Sequence, residues 1–186
     1  MVVAQPELPR LSRITLLAAV AACRALEAVG SPAISIKWPN DLMRGQRKIA
    51  GILVEQLRSP SGEPLLLIGV GINLSLRPGD LPPELEQLAT DAGLDERPDT
   101  RNSVLGELVQ ELDQSLAQLG SPGDQARGRE YCSRSWLDRR TVVLEYKGQR
   151  QTVEIASLTP SGDLLLRDGR ELTGEYVQLI SVGSGV

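Results

Sequence analysis

Lys37-Trp38-Pro39-Asn40-Asp41-Leu42 and, a few residues on, Arg47-Lys48-Ile49-Ala50-Gly51-Ile52-Leu53-Val54-Glu55 make up the stretch from which the fold is read. Ile34 to Trp38 alternates and then meets Pro39, whose missing N–H cannot serve a sheet ladder. The spacing predicts a strand over 33–38 with Asn40 and Asp41 in a turn at its end. A basic connection, Arg44 to Lys48, leads to a second strand over 48–57, and a Ser59-Pro60-Ser61-Gly62 turn leads to a third over 64–74. Leu65 to Leu74 is apolar except at Gly69, Gly71 and Asn73. That run suggests a strand covered on both faces, with the two glycines marking a face pressed by something other than side chains. Connections this short favour antiparallel neighbours.

The rest of the chain extends this plan. Leu11 to Val29 predicts an Ala-rich helix ending at Gly30, with Leu16, Leu17, Val20 and Leu26 on one face and Ala18, Ala21, Ala22 and Ala25 opposite. Residues 76–100, with Pro78, Pro82, Pro83 and Pro98, predict a loop holding one short helix near 83–90. A longer helix follows, capped by Asn102 or Ser103, with Leu105, Leu108, Val109, Leu112, Leu116 and Leu119 as its apolar stripe and Gly120 as its end. Ser121-Pro122 opens another, reaching about Trp136, with Tyr131 and Trp136 as anchors.

Beyond Asp138 the period becomes two. Residues 141–146, 151–158, 164–167 and 177–182 read as short strands joined by Lys147-Gly148, Pro160-Ser161-Gly162-Asp163 and Asp168-Gly169 turns. The expected fold class is α+β: a mixed, largely antiparallel sheet with packed helices over 1–138, then a small SH3-like β-barrel over 139–186, with the boundary between Leu137 and Arg140.

Composition narrows the function. Lys and Arg number 20 against 24 Asp and Glu, a net charge of −4, so no global basic field argues for nucleic acid. The chain has no histidine, which excludes imidazole general bases and His-liganded metals. Cys23 and Cys132 stand far apart and favour free thiols in a reducing compartment. Val20-Ala21-Ala22-Cys23 imitates a lipoprotein processing site, but the helical pattern runs on through Arg24-Ala25-Leu26-Glu27. The apolar run Ile14 to Ala22 is also shorter than the roughly 20 residues that span a bilayer. The expectation is a cytoplasmic protein with no membrane and no nucleic-acid partner.

Chemistry-bearing residues gather in the quoted stretch. Lys48 puts a compact positive charge beside Gly51, where a ligand can approach the backbone; its bland alternative is a surface lysine at a strand start. Lys37 is either a second phosphate-reaching cation or a snorkelling strand lysine, and Asn40 and Asp41 either orient a ligand or serve the turn alone. Gly69, Gly71 and Asn73 either line a ligand or serve the strand. Trp38 reads as core packing, Glu55 as a fold residue, and Arg139, Arg140, Arg167 and Arg170 as solvated charge. Two lysines, a polar turn and a Gly-containing apolar strand are what a site needs to hold a carboxylate against a phosphate.

Lys37 to Leu42, Arg47 to Glu55 and Ile68 to Asn73, in this order and spacing, resemble the central part of biotin protein ligases. The resemblance implies a ligase that activates biotin with ATP to biotinyl-AMP and transfers biotin to a lysine of a carrier protein, such as the biotin carboxyl carrier of acetyl-CoA carboxylase. It implies Lys48 as the catalytic residue, contacting biotin's carboxyl group and the α-phosphate. Lys37, Asn40, Asp41, Gly51, Gly69, Gly71 and Asn73 become substrate- and nucleotide-binding residues. No side-chain cluster holds a metal; Mg²⁺ comes with the nucleotide and is within Asp41's reach.

The family's Gly-Arg-Gly-Arg type loop and the segments before it do not occur in these residues. The resemblance therefore implies an N-terminally truncated member without a DNA-binding domain, opening at Met1 to Ala4 inside or just after a strand. A non-catalytic remnant that binds nucleotide or carrier protein without turnover is the alternative. A ligase for lipoate or another acyl group is a third reading, against which the paired Lys-Trp-Pro-Asn-Asp and Gly-Ile-Leu-Val-Glu signatures argue. Sheet edges left open leave a homodimer in play.

Overall fold

The computed structural model describes residues 2–4, 10–77, 79–95 and 97–183. A first sheet contains β1 (Val2–Ala4), β2 (Ser35–Lys37), β3 (Asp41–Arg44), β4 (Arg47–Arg58) and β5 (Pro64–Ile72), in the order β1-β5-β4-β3-β2 with every pair antiparallel. Hairpins join β2 through β5, as connections this short require. One face of β3 and β4 carries α1 (Leu11–Ala28), and α3 (Thr100–Ala117) and α4 (Pro122–Ser133) pack on α1 in turn. The short α2 (Pro83–Glu86) lies in the connection between β5 and α3.

The alanine face of α1 is no more exposed than its leucine face: Ile14 and every residue from Leu16 to Cys23 are buried, as are Ala25 and Leu26. A helix apolar all round belongs in the interior, and the small alanines let α3 and α4 come close. Each fully buried Leu or Ile here contributes about 1.5–3 kcal/mol. No helix among the described residues is long and apolar enough to cross a membrane.

A second antiparallel sheet holds β6 (Thr141–Tyr146), β7 (Gln149–Leu158), β8 (Leu164–Leu166), β9 (Glu171–Leu172) and β10 (Val177–Val182), in the order β10-β6-β7-β8-β9. Four of these strands lie where the sequence predicts them and β9 is a fifth, in an antiparallel sheet of SH3-like strands for which no barrel closure is seen among the described residues. Its first hairpin turns at Lys147 (φ 50°) and Gly148 (φ 77°), the left-handed pair that a two-residue hairpin uses. The two sheets share one core. Trp38, 2% exposed, packs as expected and donates its indole N–H to the Gly162 carbonyl at 2.9 Å.

Four expectations are corrected. Asp41 lies in β3, so the turn is Trp38-Pro39-Asn40 alone, with a cis bond before Pro39; β3 is too short for its alternation to show, but Leu42 is fully buried and a Gly45-Gln46 turn closes the hairpin to β4. The strand β5 is buried on one face only: Leu66 and Ile68 enter the core, while Gly69 and Gly71 are exposed. The helix α3 begins at Thr100 without a side-chain cap and buries Val104, Leu108, Leu112 and Ser115, leaving Leu105 and Val109 exposed; its inward face is set by where α1 lies. The helix α4 stops at Ser133 because the next residues join β2: Ile36 N–H donates to Arg134 O at 2.7 Å and Trp136 N–H to Ile36 O at 2.8 Å.

Ion pairs fasten the three long helices. Arg134 binds Glu27 on α1 at 2.7 Å and Glu130 on α4 at 2.9 Å, Arg24 binds Glu130 at 2.5 Å, and the buried Arg127 binds Glu111 on α3 at 3.0 Å. The hydrogen bond from Arg134 holds the Glu27 carboxyl below its ordinary 4.5. At Glu130, burial is the largest influence and pushes upward, but the bonds from Arg24 and Arg134 together outweigh it and leave the carboxyl below 4.5. Lowered folded values mean that the stabilisation is present above 4.5 and is lost as pH falls through the folded values. We predict that stability measured by urea denaturation declines as pH is lowered below about 4.5. Arg134→Met should cost about 1–3 kcal/mol at pH 7 and flatten this acid decline; an unchanged pH profile in the variant would contradict the assignment.

Candidate functional site

A regular strand sends alternate residues to opposite faces, so Lys48 and Gly51, three apart on β4, should not meet. They meet because the ladder slips. Asp41 opposes Gly51 and Leu42 opposes Ala50, but Met43 opposes Lys48, which leaves Ile49 as one extra residue. Such a bulge places Lys48 with its partner Met43 on the face of Asp41, and that is the face of Gly51. Ile49 itself is fully buried.

The ammonium of Lys48 consequently stands 2.5 Å from the Asp41 carboxylate and 3.2 Å from where a Cβ on Gly51 would be. The backbone beneath it is fixed by the segment after α2: Lys48 N–H donates to Leu88 O and Thr90 N–H to Lys48 O, both at 2.8 Å. Arg44 holds the same segment through Asp91, at 2.9 Å.

Register carries the site across the sheet. Lys37 opposes Asp41, Asp41 opposes Gly51, and Gly51 opposes Gly71, so four strands contribute to one row about 14 Å long. Gly69 opposes Leu53 in a neighbouring row on the same face, and Leu53 is 58% exposed. The result is a floor of bare backbone at Gly51, Gly69 and Gly71, an apolar flank at Leu53, and cations at Lys48 and Lys37. A molecule with a flat or apolar body and an anionic end fits this arrangement, because only side-chain-free positions let it lie against the sheet.

Two predicted site residues serve the protein's own backbone. Asn40 donates its side-chain N–H to Ile52 O at 2.8 Å and accepts at its carbonyl from Ile52 N–H, which ties the turn to β4. Asn73 donates its side-chain N–H to Thr90 O at 3.0 Å, donates N–H to Ile49 O and accepts from Ala92 N–H. Both asparagines thereby brace the bulge and the segment that pins it.

A cleft of about 790 Å³ runs between Val70, Ile72, Arg101, Val104 and Leu108. Val70 and Ile72 alternate with Gly69 and Gly71, so this cleft opens on the other side of β5 from the lysines. Trp136, expected as an anchor of α4, instead stands at the β2 edge of the lysine face, 5.5 Å from Lys37 Nζ. The two residues are remote in sequence, and no local pattern announces their meeting.

Comparison with known proteins points the same way. Residues 2–73 match the model of the Biotin/lipoate A/B protein ligase family. The bifunctional ligase/repressor BirA of Bacillus subtilis is 38% identical over 88 residues, 46% of this chain and 27% of that protein. The biotin--[acetyl-CoA-carboxylase] ligase of Mycobacterium tuberculosis is 32% identical over 140 residues, 75% of this chain and 49% of that one. The matched segments thus span between about a quarter and a half of those relatives' length. A variant of the biotin protein ligase of Aquifex aeolicus, solved in complex with biotin, superposes with a TM-score of 0.79 at 23% identity, covering 97% of this chain and 76% of that one. The same ligase in complex with biotin and ATP gives 0.71 at 22% identity, covering 100% and 77%. At such identities these structures establish the shared fold.

The Lys48–Asp41 pair is solvent-accessible, and pairs of that kind contribute little. Lys48→Ala is expected to change unfolding free energy by less than about 1 kcal/mol in urea denaturation; a larger loss would make Lys48 a structural residue.

Proposed function

We propose that this chain is a biotin protein ligase, which activates biotin with ATP to biotinyl-AMP and passes biotin to a lysine of a carrier protein; the match of residues 2–73 to the Biotin/lipoate A/B protein ligase family and the 32% identity to the Mycobacterium tuberculosis ligase support this reading. The carrying observation is the Lys48 ammonium held over Gly51 by the bulge at Ile49.

In the first step an oxygen of the biotin carboxylate bonds to the α-phosphorus of ATP, and the bond from that phosphorus to the bridging oxygen breaks, releasing pyrophosphate. In the second step the carrier's lysine amine bonds to the activated carbonyl carbon, AMP leaves, and the amine proton is given up. The first step forces two anions together and loads charge on the phosphorus oxygens, so a fixed cation at the meeting point lowers the barrier. Lys48 is that cation. Asp41, 2.5 Å away, positions the ammonium and gives it up to the substrate anions as they arrive.

Gly51, Gly69 and Gly71 form the floor on which biotin and nucleotide lie, beside Leu53. Asn40 and Asn73 act through the bulge they brace. Lys37, two strands from Lys48, meets the phosphates beyond the reacting one. Among the described residues no group of three Asp, Glu or Cys side chains converges. This donor set fits a Mg²⁺ carried by the nucleotide phosphates with Asp41 within reach, where the ion would offset phosphate charge.

Single-turnover formation of biotinyl-AMP from biotin and MgATP tests the proposal. Lys48→Ala should slow it by about 10²–10³-fold, the cost of one lost charge-stabilising donor. Gly51→Val should weaken biotin binding, because its side chain would occupy the space under the lysine. An unchanged rate in Lys48→Ala would remove Lys48 from the mechanism. Binding of biotin or nucleotide without any product would assign the chain the non-catalytic role instead.

A further inference from the structure

Trp136 is held at the edge of the lysine face from several sides. Its N–H joins β2 through Ile36 O, and its indole N–H donates to Gly45 O in the β3–β4 turn, each at 2.8 Å. Its carbonyl accepts from Arg140 Nε at 2.7 Å. Two cations share this ring: the Arg140 guanidinium carbon lies 3.8 Å from the ring centroid, and the Lys37 ammonium lies 5.5 Å from it.

Of the 17 arginines, Arg13, Arg24, Arg44, Arg77, Arg127, Arg134, Arg167 and Arg170 face a carboxylate. Among the described residues Arg140 and Lys37 belong to the cations without such a partner, and these two meet at one ring. A guanidinium carries five N–H donors, and Arg140 uses its Nε on Trp136 while both terminal nitrogens stay free of acceptors among the described residues. Stacking on an indole orients a guanidinium without neutralising it. Two half-buried cations held at one ring without a carboxylate leave positive charge at this edge that an arriving anion would offset.

We infer that Arg140, stacked on Trp136 beside Lys37, completes a polyphosphate subsite that takes the β- and γ-phosphates of ATP and releases them as pyrophosphate. The inference rests on the proposed ligase reading and deepens it. Lys37 continues the row that starts at Gly71 and passes Gly51 and Asp41, so a nucleotide whose α-phosphate meets Lys48 over β4 can run its remaining phosphates across β3 to the β2 edge. That distance is two strand spacings, about 10 Å. A planar fork suits phosphate oxygens, which it can engage through two N–H groups at once.

Inorganic pyrophosphate titrated calorimetrically into the full 186-residue chain is the test. Arg140→Gln and Lys37→Gln should each weaken its binding roughly tenfold, the loss of one charge-assisted contact. Arg140→Lys should fall between, keeping the charge and losing the fork. Arg139→Gln, the same charge removed one residue away, should bind as the wild type does. The inference is overturned if pyrophosphate fails to bind the wild type, if Arg140→Gln binds it equally well, or if Arg139→Gln weakens it as much. Should Arg140→Gln not fold, Lys37→Gln and Arg140→Lys carry the same decision. An Arg140-dependent pyrophosphate site in a chain that forms no biotinyl-AMP would retire the ligase reading and keep the subsite. Biotinyl-AMP formation with Arg140-independent binding would retire the subsite alone.

Discussion

One extra residue in β4 decides where the Lys48 ammonium goes. Without the slip at Ile49, alternation would send Lys48 and Gly51 to opposite faces of the sheet, and the glycine floor would have no cation above it. With it, a positive charge, a carboxylate and a bare stretch of backbone share one surface. Anchoring is shared out: Ile49 is buried in the core, residues 88–90 grip the backbone on both sides of Lys48, and the two asparagines tie the neighbouring turn and strand end to the same place. The bonding fixes the backbone at the root of the Lys48 side chain.

The remainder of the fold supplies rigidity on the far side. The buried helix α1 fills the inner face of the sheet with small and branched apolar side chains. The Arg–Glu network binds α1 to α3 and α4, and Trp38 reaches across to Gly162 in the turn between β7 and β8. The inner face therefore carries stability while the outer face stays free for ligands. The division explains why the glycines on β5 can be exposed at modest cost, since Leu66 and Ile68 on the same strand already anchor it.

Much of this was legible in the sequence. The helix Leu11–Ala28, the hairpin strands and four of the five strands of the tail follow from apolar period, Gly and Pro placement and turn chemistry, and adjacency suggests the Lys48–Gly51 pairing. The mechanism of that pairing was not legible, because a bulge is set by which partner residues a strand meets, and one strand's pattern does not reveal it. The strand β3 was missed for a similar reason: four residues with polar ends look like turn until Leu42 is seen in the core. The inward face of α3 was misjudged by one residue, Val104 for Leu105, since both are apolar and only the position of α1 distinguishes them. Trp136 left its helix because β2 had an open edge to fill, a long-range demand with no local sign.

The most direct test of the central claim is a map of backbone amide chemical shifts on adding biotin together with a non-hydrolysable ATP analogue. The account predicts that the largest changes fall on Gly51, Gly69 and Gly71 and on the amides flanking Lys48, with little change along α3. Changes concentrated instead at Val70, Ile72, Val104 and Leu108, around the cleft on the opposite face, would contradict it.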